Sequence, residues 1–344
     1  KTVGSKGGVQ TTPFEFSASD YEENKHFFLG HYFRDRYNLF MEDLPNTSSP
    51  VTIKNIEVWV TNKRGNNEQS RNIVAFADLA EYDSIKNTIN WQPLTSGYPQ
   101  NNSNTLYPTV GDTTGGVYQG IREISQTNRI LTGIGLKVGL DFEKIESARL
   151  LSSTEYTYHS KLGYLSLNYT PQSDEVVGVA YEYIVDGKTY KVGEFASDIT
   201  SSYTGDGKSG ALILKLLKPV SMSPYSYSWN LMMKNVYSLS AYNVQSDRFR
   251  LDISYQSDTT GTYINYIPEG NIKNERLLRV MNLDRLDTRN KANSDGIFDF
   301  VEGYTIRSAN GRVYFPVVEP FGKHLADKIG NSAIAQKYVY QELY

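Results

Sequence analysis

Between Asn293 and Glu302 the sequence NSDGIFDFVE places Asn293, Asp295, Asp299 and Glu302 around Gly296. Oxygen ligands at such spacing, with a glycine for the sharp bend, are what a calcium loop needs, and these residues fall at its third, fifth, sixth, ninth and twelfth positions. Lys291 occupies the first position, where a carboxylate belongs, and its cation repels calcium. The flanking run Phe298-Asp299-Phe300-Val301 is strand-like rather than helical. An Asp-Gly turn explains the same residues without a metal. The turn is the preferred reading, and calcium ligation by Asn293, Asp295, Asp299 and Glu302 stays open.

Other chemistry is weaker. His26 and His31 are five residues apart and share no helix face, while His159 and His324 stand alone, so no histidine metal pattern forms. Gly207-Lys208-Ser209 resembles the end of a phosphate loop, but Ser202 stands where its leading glycine belongs. No Gly-x-Ser-x-Gly elbow is present, and the absence of cysteine removes disulfides, thiolate metal sites and cysteine nucleophiles. No residue is assigned as catalytic, cofactor-binding or metal-ligating; an enzyme and a cofactor are not expected. The net charge of -3 argues against nucleic acid. No apolar run is long enough for a membrane-spanning helix. Asn46, Asn101 and Asn168 head glycosylation sequons. The 27 tyrosines fit half-buried pleated surfaces first, and sugar- or protein-binding faces second.

The elements that must position these residues read as mainly β, with two β-sandwich-like modules and a few short helices. Residues 1–141 form an N-terminal β-rich module with a helical lead-in. Ser19 and Glu22 have capping-box spacing, and aromatic residues from Tyr21 to Leu44 recur at helical intervals, with Gly30 a break and Pro45 the end. Thr52–Thr61 and Asn72–Leu79 read as a hairpin. Residues 83–116 read as a long loop, followed by a short helix from Gly116 to Gln126 and a strand from Ile134 to Phe142. Residues 142–218 form a hairpin module that includes a tight turn at Asp186-Gly187. Residues 219–344 form a second β module. Trp229–Leu239 has helical spacing, Arg248–Tyr255 alternates in and out as a strand, and Leu277–Leu286 reads as another strand. Its hairpin 303–318 turns at Asn310-Gly311.

That hairpin repeats an earlier one. Tyr156-Thr157 matches Tyr304-Thr305, Ser160 matches Ser308, Gly163 matches Gly311, Leu165 matches Val313 and Leu167 matches Phe315, all at a constant offset. The spacing predicts one β module used twice. The strand-like end Val339–Tyr344 and a start at Lys1 read as a fragment or processed form of a longer protein.

Several long runs carry a resemblance: HFFLGHYFRDRYN (26–38), IEVWVTNKRGNNEQSRNIVAFADL (56–79), EYTYHSKLGYLSLN (155–168), WNLMMKNVYSL (229–239), LRVMNLDRLD (278–287), DGIFDFVEGYTI (295–306) and GRVYFPVVEPFGKHL (311–325). The sequence resembles the SprA/Sov family, the giant outer-membrane translocon of the Bacteroidota type IX secretion system, except over roughly 83–120 and 255–272. The resemblance implies an internal soluble stretch facing the periplasm or the cell surface, with a structural, gating or docking role and no catalytic residues. It implies as partners the rest of the barrel, other type IX components and secreted cargo with C-terminal signals. The rival reading is a carbohydrate-binding β-sandwich, which requires Trp59, Trp91 and Trp229 on an exposed face.

Overall fold

The computed structural model describes residues 13–63, 65, 70–82, 91–95, 97–111, 119–199 and 210–340. The phosphate-loop fragment 207–209 and parts of the 83–116 loop lie outside the described residues. The chain forms two compact units, one of Glu22–Lys234 with Pro316–Glu319, the other of Asn235–Phe315 with Pro320–Leu343 and the N-terminal residues to Tyr21. As expected, the fold is mainly β, with several sheets and few short helices.

The first unit carries β1 (His26–Phe28), α1 (His31–Phe40), β2 (Thr52–Val60), β3 (Arg71–Phe76), α2 (Leu106–Val110), α3 (Thr127–Gly133), β4 (Phe142–Leu150), β5 (Tyr156–His159), β6 (Tyr164–Leu167), β7 (Val177–Val185), β8 (Lys188–Val192) and β9 (Leu212–Lys218). Six of its strands form a sheet in the order β2-β4-β3-β9-β7-β8. β2 also pairs with β7 from Thr52↔Ile184 to Val60↔Val177, so five strands close into a ring and β8 extends β7 outside it. Closure removes the open edges that invite aggregation. The β3–β9 step is parallel; the other ring pairings are antiparallel.

Residue size explains how so small a ring fills. Trp59, Ile73, Ile145, Leu212, Leu214 and Leu216 pack with Ala75, Ala77, Ala148 and Ala180 in one buried cluster. At Gly178 a Cβ would sit 3.3 Å from Leu214 and 3.4 Å from Ala75. Large side chains from one strand thus meet small ones from the next, as a narrow barrel requires. Outside the ring, α1 buries Tyr32, Phe33, Tyr37 and Phe40, and the Phe33 ring lies 6.1 Å from both Tyr181 and Tyr183 of β7. Burying a side chain such as Phe33 stabilises the unit by about 1.5–3 kcal/mol.

Four local expectations change. The lead-in begins as β1, because His26–Phe28 pair with β6; the helix starts only after Gly30. Ser17 and Asp20 hydrogen-bond each other instead of a Ser19–Glu22 box forming. β2 and β3 are not a hairpin, since β4 stands between them. The predicted strand over Ile134–Phe142 is instead the end of α3 and a turn, because Gly135 and Gly139 adopt φ of 93° and 80°. The long loop carries a 3₁₀ turn at Asn101–Ser103 and the helix α2. The expected boundary at 141/142 runs through the six-stranded sheet.

The second unit carries β10 (Val236–Ser238), β11 (Tyr255–Gln256), β12 (Tyr263–Ile264), α4 (Leu277–Val280), β13 (Ile306–Arg307), β14 (Arg312–Tyr314), α5 (Leu325–Ile329) and α6 (Ser332–Ala335). The run Trp229–Leu239 is a 3₁₀ turn over Tyr227–Leu231 followed by β10, not a longer helix. Leu277–Leu286 opens as α4 rather than a strand. Arg248–Tyr255 alternates as expected, with Phe249, Leu251 and Ile253 buried and Arg250, Asp252 and Ser254 exposed, yet only Tyr255 and Gln256 join a ladder.

The repeated hairpin is built twice in the same register. β5 pairs with β6 through Tyr158↔Leu165 and His159↔Tyr164; β13 pairs with β14 through Ile306↔Val313 and Arg307↔Arg312. The third strand is repeated too: β1 sets Phe27 on Leu165, and β10 sets Tyr237 on Val313. Equivalent flanking bonds recur, Leu29 N to Gly163 O at 3.0 Å and Leu239 N to Gly311 O at 2.8 Å. At each turn the glycine is left-handed, with φ of 64° at Gly163 and 60° at Gly311, and neither has room for a Cβ.

Candidate functional site

The described surface of the first unit contains a cleft of about 490 Å³ lined by Asn55, Glu57, Glu182, Lys191, Phe195 and Asp198, among others. β2, β7 and β8 position the first four, and the turn after β8 positions the rest. The Lys191 ammonium lies 2.5 Å from Asp198 Oδ2 and 4.9 Å above the Phe195 ring. Asp198 Oδ2 also accepts the Phe195 amide at 2.6 Å. Glu57 Oε2 accepts from Trp59 Nε1 at 3.1 Å and from the Ala196 amide at 2.9 Å. Asn55 Nδ2 reaches Glu182 Oε1 at 3.4 Å. Three carboxylates against one ammonium give the cleft an acidic balance. It offers hydrogen-bond acceptors and a charged rim to a ligand.

The strongly perturbed groups lie deeper. Lys215 is 1% exposed; its ammonium donates to the Ala77 carbonyl and to Glu81 Oε1, which also lies 3.0 Å from His31 Nδ1. Burial resists ionisation of Glu81, but Lys215 and His31 outweigh it and hold the carboxyl well below the usual carboxylate range. Asp78 lies nearby, and burial pushes it up to about 6 against the pull of Lys215. Asn104 Nδ2 donates to the carbonyls of Asp78 and Glu81, fixing this corner to the long loop. Arg122 grips Glu194 through two bonds of 2.6 Å, while Tyr107 Oη and the Ile213 amide donate to the same carboxylate. Sequence reasoning missed Glu81, Lys215, Arg122 and Glu194, because each pair joins residues far apart in the chain. Their partners are internal, so both clusters clamp the long segment between β3 and β4 onto β9.

In the second unit, the acidic loop spends its oxygens on backbone amides. Asp299 accepts from Arg285 N at 2.7 Å and Leu286 N at 3.1 Å. Burial pushes its carboxyl up to about 6 despite these bonds. Asp295 Oδ1 accepts from Ile297 N, and Glu302 accepts from Ser308 N. Asn293 is exposed. Asp284, missed in the sequence, is 1% exposed and its Oδ1 takes the amides of Asp295 and Gly296, both at 3.0 Å. Such turn-capping is the ordinary use of Asp in loops. Among the described residues no group of three or more His, Asp or Glu is placed to hold a metal ion.

The carbohydrate reading loses its platform. Trp59 and Trp91 are 1% and 3% exposed, and the ring of Trp229 is covered by the Lys234 ammonium at 4.8 Å. Asn101 has its side chain bonded both ways to Gly193, and Asn168 donates to Thr154 O, so both sequon amides are engaged. No described helix is long and apolar enough to cross a membrane.

No curated protein matches the sequence. Residues 1–168 match the family model SprA_N, described as a motility related/secretion protein. The match runs through β1–β6, contains the whole first copy of the repeated sheet, and ends one residue after β6. Over these residues, just under half of the chain, the sequence is thus similar to a family of motility related/secretion proteins.

Proposed function

We propose that this chain is a non-catalytic docking and structural part of a SprA/Sov-type translocon, serving type IX protein export across the outer membrane. The match of residues 1–168 carries the reading. The geometry supports it: the strongly paired charges are spent on holding loops, and the cleft over β2, β7 and β8 offers recognition groups on a closed barrel that resists deformation. Its partners are the remainder of the translocon, other secretion components and exported cargo bearing C-terminal signals. The acidic balance of Glu57, Glu182 and Asp198 suits a basic segment of such a partner.

A photo-crosslinking residue at Asn55 or Ser197, placed in the intact protein in its own cells, tests this. Capture of secretion components or cargo, reduced by Glu182→Lys, is expected. Failure of both positions to capture either class overturns the docking role.

A further inference from the structure

The cleft over β2, β7 and β8 holds a cation of its own. Lys191 reaches from β8 and sets its ammonium 4.9 Å above the Phe195 ring and 2.5 Å from Asp198 Oδ2. A positive charge on an aromatic face beside a carboxylate is a cation-binding arrangement, and here the chain itself fills it. The strand register gives Lys191 a second place to go. It stands opposite Glu182, which stands opposite Asn55 in turn. The two-residue turn at Asp186-Gly187 makes Val185↔Lys188 a hydrogen-bonded pair. Glu182↔Lys191, an odd number of steps further on, is therefore a pair without main-chain bonds, the kind whose side chains lie closer. Among the described residues the Glu182 carboxylate has only the Asn55 amide, at 3.4 Å. Lys191 can thus leave Asp198 for Glu182 and keep an ion pair.

We propose that this cleft binds an arginine side chain of a partner polypeptide, and that Lys191 is the internal ligand which that side chain displaces. Once Lys191 swings to Glu182, the Phe195 ring is uncovered between the carboxylates of Asp198 and Glu57, which line the same cleft. Their oxygens are held in place by the turn after β8: Asp198 Oδ2 accepts the Phe195 amide and Glu57 Oε2 the Ala196 amide. Asp198 Oδ1 and Glu57 Oε1 accept no bond among the described residues. Arg71, the other cation acting on Glu57, spends its guanidinium on the Ala196 and Ile199 carbonyls. A guanidinium suits the vacated place better than an ammonium. Its plane stacks on a ring, and its fork of donors serves several acceptors at once, whereas lysine brings a point charge.

The assignment rests on the docking reading of the same cleft, and its test separates the two. The probe is a blocked peptide with one arginine between glycines, titrated into the isotope-labelled whole chain beside its lysine and citrulline counterparts. The amides of Phe195 and Ala196 report directly, because they donate to Asp198 and Glu57. The arginine peptide should shift both, the lysine peptide should bind more weakly, and the neutral citrulline peptide should not bind. Lys191→Met should tighten arginine binding by roughly two- to fivefold, the weight of a part-exposed ion pair. A misfolded variant cannot bind more tightly. Lys188→Met removes the same charge from the opposite face of β8 and should leave binding unchanged. Phe195→Leu should weaken it by roughly two- to fivefold. Equal binding of the lysine or citrulline peptide, no gain from Lys191→Met, an equal gain from Lys188→Met, or no shift at millimolar peptide would each overturn the proposal. Capture of secretion components or cargo in cells without arginine binding sinks this proposal alone; arginine binding without capture sinks the docking role alone.

Discussion

The two copies of the three-stranded sheet, β1-β6-β5 and β10-β14-β13, share register, turn and flanking hydrogen bonds, yet their surroundings diverge. In the first unit the following strand is sealed into a closed ring with a filled interior. In the second unit the stretch Phe249–Ser254 keeps its in-and-out pattern, and among the described residues no ladder holds it. Local sequence thus determines the hairpin, whereas completion of a sheet depends on a strand supplied from elsewhere. The first unit also carries its charge inside, in Lys215–Glu81 and Arg122–Glu194, and the second spends its buried aspartates on turns.

The sharpest way to break this contrast is at the buried ion pairs. Lys215→Met leaves Glu81 without its closest cation and should destabilise the first unit by about 3–5 kcal/mol. Amide exchange in β13 and β14 should stay unchanged if the second unit is independently held. Next come the matched glycines. A Cβ at Gly163 would lie 2.0 Å from the Phe33 ring, and one at Gly311 would lie 2.1 Å from the Ala241 carbonyl. Gly163→Ala and Gly311→Ala should each cost about 2–5 kcal/mol, combining left-handed strain with overpacking. Denaturant melts followed in each unit check whether the costs match, as equivalent turns require.

Two buried aspartates, one in each unit, should respond to acidity with the same sign. Asp78 and Asp299 both sit at about 6, above the ordinary value of 3.8. The folded state therefore holds more protons than the unfolded chain between those values. Each contribution is full below about pH 4 and is lost as pH rises through 6. Carboxyl carbon titrations of Asp78→Asn and Asp299→Asn against the parent chain identify the two midpoints. The smallest effect belongs to the cleft rim: Lys191→Ala removes a part-exposed ion pair and should change stability by about 1 kcal/mol or less.

Much of this architecture was legible where a residue's own backbone preference decides. Asp186-Gly187 turns β7 into β8 with φ of 48° and 78°, and Gly163 and Gly311 mark the repeated hairpin. Elements failed where distant partners decide. Thr52–Thr61 looked like the mate of Asn72–Leu79, but β4 and β7 compete for it and win. Leu277, Leu278, Val280 and Met281 are buried at helical intervals, although the run from Leu277 to Leu286 also suits a strand. The acidic loop was visible as a turn, and Asp284 was not, because its amide partners lie in a later segment. Nothing in the sequence near Asn55 or Asp198 signals the cleft, whose lining is gathered only when β2, β7 and β8 align.

Residue-resolved amide exchange on the whole chain, without any added partner, tests the contrast between the copies most directly. The account predicts that the amides binding β2 to β7 exchange only through large-scale opening of the first unit, while those of Arg250 and Asp252 exchange orders of magnitude faster, although Leu251 between them is buried. Comparable protection of the two stretches would contradict it.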